Sequence, residues 1–203
     1  MTVFASAATA FAALVHRMPD RWDGPGLGDW DLRALVGHTS RSLITVSTYV
    51  QTPADRADIG DAVEYYVRMR AYAADLGAAD VLERGRQAGR DLGSDPAASV
   101  DELVARALAD VEAATAGGAD PLIAVIGGLG IPLSAYLHTR IFELVVHGLD
   151  IARATGVEFV VPADALADAT VLATRVALAL GHGAPVLEAL TGRASLPAGF
   201  SVT

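Results

Sequence analysis

The chain has 203 residues and a formal net charge of −9, with 52% hydrophobic, 19% charged and 6% aromatic residues, so it is neither disordered nor fibrous. It contains no cysteine, which excludes a disulfide scaffold, a thiolate zinc finger, an iron–sulfur cluster held by its own thiolates and a cysteine nucleophile. The acidic balance and the lack of a basic run argue against a surface that tracks phosphates, leaving small molecules rather than nucleic acid as the expected partners.

At this length one compact domain is the expectation, and the abundance of alanine with little β-branched alternation makes it mostly helical. The first segment lacks a basic leader, and Phe4, Ala8, Phe11, Leu14 and Val15 recur at helical spacing, so it reads as a core helix over about 2–18 that stops at Pro19. A loop carrying Gly24, Pro25, Gly26 and Gly28 follows. Asp29 or Asp31 then caps a second helix, whose stripe of Leu32, Leu35, Val36, Leu43, Val46 and Val50 ends at Pro53. From Ile59 to Gly93 a third helical region carries Val63, Tyr66, Val67, Tyr72, Leu76, Val81 and Leu82, with a break expected near Gly77. Ser99 or Asp101 is expected to start the next helix, which ends at Gly117 and Gly118.

Leu122 to Ile126 reads as a strand-like crossover before the glycines of GGLGIP, and those glycines read as a plain turn because they lack the lysine of a phosphate loop. The stretch Pro121 to Leu137 is too broken by Gly and Pro to span a membrane, and a cytoplasmic protein is expected. Pro132 fits the first turn of a long helix that stops at Gly156, and a final pair covers about 162–180 and 185–190. These helices bury their stripes most simply as an antiparallel bundle with one or two crossovers.

On the long helix Glu143 and His147 are four residues apart, so their side chains lie one turn apart on one face. His38 sits on the buried side of the second helix, where a bundle can bring it opposite them, and two His with one carboxylate form a zinc set with an open fourth position. Asp150 is placed either to accept the other ring N–H of His147 or to pair with Arg153 at the surface. Arg140, three residues before Glu143, is placed either to orient a carboxylate or to form a surface ion pair. His16, His138 and His182 are read near helix ends or loops and given no role; Trp22, Trp30, Tyr65 and Tyr66 are candidates for pocket lining or for core.

Three segments carry a resemblance: WDLRALVGH at Trp30 to His38, TRIFELVVHGLDIARATG at Thr139 to Gly156, and ALTGRASLPAGFSV at Ala189 to Val202. They resemble the mycothiol-dependent maleylpyruvate isomerase and DinB-like metal-binding proteins. The resemblance implies an all-α, DinB-like antiparallel four-helix bundle over 1–156, with short helices of a C-terminal extension over 157–203 packed on it. It implies a divalent metal, usually zinc, on His38, Glu143 and His147, and mycothiol or another low-molecular-weight thiol as cosubstrate. Arg140 and Asp150 are the remaining candidates for catalytic work.

The isomerase itself has a further C-terminal domain that contributes to its active site, whereas about 47 residues follow Gly156 here. Thiol S-transfer to an electrophilic small molecule is therefore the first expectation, with a related isomerisation beside it. A non-catalytic metal-binding protein that senses, buffers or regulates, and a bundle that keeps the motif without binding metal, stand as alternatives. No membrane partner is expected, and a homodimer is left open.

Overall fold

The structure, a computed structural model, describes the backbone of residues 2–76 and 78–203, and the side chains of these except 71–76, 78 and 79. The described residues form eight α-helices and one two-stranded antiparallel sheet. In chain order these are α1 (Val3–Val15), α2 (Leu32–Tyr49), α3 (Ala62–Leu76), α4 (Ala78–Asp91), α5 (Pro96–Ala114), β1 (Leu122–Ala124), β2 (Gly130–Pro132), α6 (Leu133–Thr155), α7 (Ala163–Ala179) and α8 (Gly183–Leu190). The break expected near Gly77 falls outside the described residues.

The helix boundaries follow from local capping. The Thr2 hydroxyl accepts the Ala5 N–H at 3.2 Å, and the Asp31 carboxylate accepts the Ala34 N–H at 2.7 Å, so Asp31 rather than Asp29 opens α2. α5 starts earlier than the expected Ser99 or Asp101. Asp95 caps it by accepting from Ala98, and Pro96 occupies the first turn, where a missing N–H costs nothing. α2 ends at Tyr49, short of Pro53, because residues 52–54 leave the helix to bond alongside β1: Ala124 donates to the Thr52 carbonyl and Ala54 to that of Leu122. The strand-like reading near Leu122 is correct, β1 pairing with β2 through Ile123 and Ile131.

α1 and α2 each pack against both α5 and α6, closing a four-helix ring around Phe4, Phe11, Leu14, Leu35, Leu43 and Leu144, all buried. α3 and α7 lie against α6, and α8 lies against α7. The all-α bundle with additional C-terminal helices is thus what the sequence forms. No helix among the described residues is long and apolar enough to cross a membrane.

The closest seam joins α2 to α4. A Cβ on Gly37 would run into the backbone of Gly89, and one on Gly89 would come within 2.6 Å of the Arg33 carbonyl oxygen. The absence of side chains at both positions therefore lets the two backbones approach, and α4 lies directly over the stretch of α2 that bears His38.

Candidate metal centre

α2 and α6 pack together, and their contact brings His38 to the Glu143–His147 face. One ligand atom from each of the three residues lies within 4.8 Å of the others. The two imidazoles meet edge to face with ring centroids 5.0 Å apart. All three side chains are only partly exposed, in keeping with a site set into the bundle.

Each residue is held differently. The His38 ring stacks against Trp30 at 4.4 Å, and the Trp30 indole N–H donates to the Leu82 carbonyl of α4 at 3.0 Å. Gly85 of α4 makes room for that indole, since a Cβ there would meet it at 2.7 Å. The buried Nδ1 of His38 has no hydrogen-bond partner among the described residues. Burial, followed by the charge of His147, lowers the His38 pKa to about 4, so the ring is neutral with a lone pair to offer.

Glu143 and His147 sit in a polar network. The Tyr66 hydroxyl donates to Glu143 Oε1 at 2.6 Å, Glu143 Oε2 lies 3.2 Å from His147 Nε2, and His147 Nδ1 lies 3.1 Å from Asp150 Oδ2. Burial opposes ionisation of Glu143, but the hydrogen bond from His147 and the charge of Arg140 outweigh it and hold the carboxylate at about 2. Burial likewise disfavours a charged His147, yet the bonds to Asp150 and Glu143 win and raise it to about 9. Burial and the Glu143 charge together push the Tyr66 phenol well above its usual range, so it remains a donor.

The site residues named from sequence thus come together. Asp150 does both things considered for it, bonding His147 and also accepting from Arg153 at 2.9 Å. Arg140 forms no surface ion pair among the described residues; its Nε–H donates to Thr139 Oγ1 at 2.9 Å and its guanidinium lies over the rings of Tyr136 and Tyr65. Arg140 faces a cavity of about 410 Å³ that also contacts His38, Glu143, Tyr65 and Tyr66.

The structure makes the remaining readings specific. Of the two readings open for the tryptophans, core holds: both pack against the core, Trp30 also covering His38 and Trp22 lying against Arg33, while Tyr65 and Tyr66 line the cavity. Tyr66 lines the cavity but also holds Glu143, a role its place in an apolar stripe concealed. His138 lies inside α6, where it contacts Asp168 of α7 at 2.7 Å. Arg41 and Arg84, to which no role was given, also line the cavity; the signal for Arg41 was its position three residues after His38, on the same helix side.

A helical bundle whose facing helices converge two histidines and a carboxylate beside an open cavity has the donor arrangement of the interior metal sites that such bundles build. The family model for the mycothiol maleylpyruvate isomerase N-terminal domain matches residues 4–152, and the chain belongs to that family of mycothiol-associated, DinB-like metal-binding proteins. Comparison with curated proteins and with solved structures finds no match.

Proposed function

We propose that the protein is a divalent-metal-dependent enzyme that joins a low-molecular-weight thiol, such as mycothiol, through its sulfur to an electrophilic small molecule. The observation that carries this reading is the convergence of the His38, Glu143 and His147 ligand atoms within 4.8 Å, with His38 and Glu143 at the wall of a substrate-sized cavity. The donor set fits a metal: His38 offers a neutral ring with an unpartnered buried nitrogen, and two His with one carboxylate suit zinc with a coordination position left for an exogenous ligand. When bound, the metal supplies a positive centre that favours the thiolate form of the cosubstrate over the thiol.

The chain's own residues position the reactants. Asp150 fixes the His147 ring by taking its Nδ1–H, Tyr66 fixes Glu143, and Trp30 fixes His38. With no cysteine in the chain, the attacking sulfur belongs to the cosubstrate. In the transfer a carbon–sulfur bond forms, the thiol proton passes to solvent, and the leaving group departs with its electron pair. A purely structural metal centre would need no adjoining cavity, which favours turnover over storage or sensing.

The test is metal content by plasma mass spectrometry on protein purified without chelator, with His38→Ala and Glu143→Ala alongside. The expected result is near-stoichiometric zinc in the wild type, lost in both variants, and mycothiol consumption with chlorodinitrobenzene that His147→Ala abolishes. Wild-type protein that carries no divalent metal and takes none up would overturn the reading.

A further inference from the structure

Four of the fifteen basic side chains of this acidic chain, Arg41, Arg70, Arg84 and Arg140, line the cavity that His38 and Glu143 border, and among the described residues Glu143 is the one carboxylate side chain that lines it with them. That carboxylate is already engaged by Tyr66 and His147. Among the described residues no carboxylate lies within ion-pair distance of Arg41, Arg84 or Arg140, although nine such pairs occur elsewhere in the structure or within the His147 network.

The three guanidiniums come from three different helices. Arg41 is one turn beyond His38 on α2, Arg140 is one turn before Glu143 on α6, and Arg84 of α4 adjoins the Gly85 that seats Trp30. One helical turn is about 5 Å, so the backbone positions of Arg41 and Arg140 stand about a turn from those of His38 and Glu143 on the same helices. Arg140 donates its Nε–H to Thr139 and stands close to the Tyr65 hydroxyl, while the rings of Tyr136 and Tyr65 hold its plane at 4.8 and 5.7 Å; no carboxylate of the described residues engages its fork. Arg41 and Arg140 both reach His38 electrostatically, each helping to disfavour its protonation.

The geometry points to an anion subsite in this cavity: Arg41, Arg84 and Arg140 select an electrophile that bears a carboxylate or an equivalent oxyanion about one helical turn from its reacting carbon. This specificity rests on the thiol-transfer reading above, but the subsite itself is testable without metal. Guanidinium forks bind carboxylates through paired, charge-assisted hydrogen bonds, and a cavity wall that excludes water strengthens them. An anionic group on the thiol would meet the same chemistry, so the test separates the two reactants.

Zinc-free protein is titrated calorimetrically with 3-nitrobenzoate and with its neutral counterpart 3-nitrobenzamide. The expected result is at least tenfold tighter binding of the acid, with about a tenfold loss of that preference in Arg41→Gln and in Arg84→Gln, and no change in Arg17→Gln, whose guanidinium bonds the distant Glu158 carbonyl. Equal binding of acid and amide, or a preference indifferent to Arg41→Gln and Arg84→Gln, overturns the subsite.

With the metallated protein, 4-chloro-3-nitrobenzoate is compared with chlorodinitrobenzene at fixed thiol, and N-acetylcysteine with its amide at fixed electrophile. A kcat/KM preference for the acidic electrophile that the two variants erase supports the assignment. A preference that follows the thiol's carboxylate alone overturns it. Arginine-dependent binding of nitrobenzoate by a protein that takes up no metal keeps the subsite and removes the thiol-transfer reading; metal uptake with thiol transfer but no acid preference does the reverse.

Discussion

The two halves of the candidate metal centre are built on opposite principles. On α2, His38 is held by packing: an indole on one face, a glycine-closed seam to α4 behind it, and no hydrogen bond to its buried Nδ1 among the described residues. On α6, Glu143 and His147 are held by hydrogen bonds from Tyr66 to Glu143 and from His147 to Asp150. The two histidines accordingly titrate in opposite directions, His38 down to about 4 and His147 up to about 9. Packing supplies a ligand that is neutral at neutral pH, whereas the network supplies one that is well oriented but holds a proton which a metal must displace.

The contrast breaks most visibly at the seam. Gly37→Ala places a methyl against the Gly89 backbone, which has no side chain to swing aside, and should cost about 3 kcal/mol of stability in urea denaturation followed by circular dichroism. An unchanged midpoint would mean that packing does not hold the α2 half.

A second expectation concerns protons. Since His38 and Glu143 are already deprotonated at neutral pH, His147 alone competes with the metal, and apparent zinc affinity should rise about tenfold per pH unit from 7 to its pKa of about 9, then level off. Metal-free stability should run the other way for this group: its raised pKa stabilises the fold fully below 6.5, and that contribution is lost as pH rises through about 9. His38 is the mirror case, its contribution present above 6.5 and lost as pH falls through about 4.

Asp150→Asn sharpens the α6 half. It should lower zinc affinity at high pH by about 10-fold or somewhat more, and calorimetry across pH should find the levelling point moved below that of the wild type, because the bond and charge that raise His147 are weakened. The smallest effect is expected from Tyr66→Phe, which removes the donor to Glu143 and should cost about 1 kcal/mol in zinc binding with little change in its pH dependence.

The same division explains how much the sequence disclosed. Glu143, His147 and Asp150 were legible because a single helix fixes their relative placement through its 3.6-residue period, whatever the tertiary structure. His38 was legible through its place in a familiar motif at Trp30 to His38, and the cap at Asp31 through ordinary helix chemistry. The seam was hidden: Gly37, Gly85 and Gly89 lie in helical segments, where glycine disfavours the helix, and only the crossing of α2 by α4 gives them a purpose. The bond from Tyr66 to Glu143, unlike its place on the cavity wall, was hidden for a related reason, as was Arg84, since each reaches the site from a helix whose orientation long-range packing decides. The start of α5 was misread by choosing Ser99 or Asp101 over the stronger Asp95–Pro96 pair.

The indole resting on His38 gives the centre an optical reporter. The chain has two tryptophans, and Trp22 lies against Arg33 while Trp30 touches the candidate ligand itself. A protonated imidazole quenches indole emission and a metallated one alters it, so the light from Trp30 follows the chemical state of His38 against the background of Trp22. Trp22→Phe would leave a one-tryptophan protein in which acid titration and metal loading are both read, without a label, from inside the wall of the site.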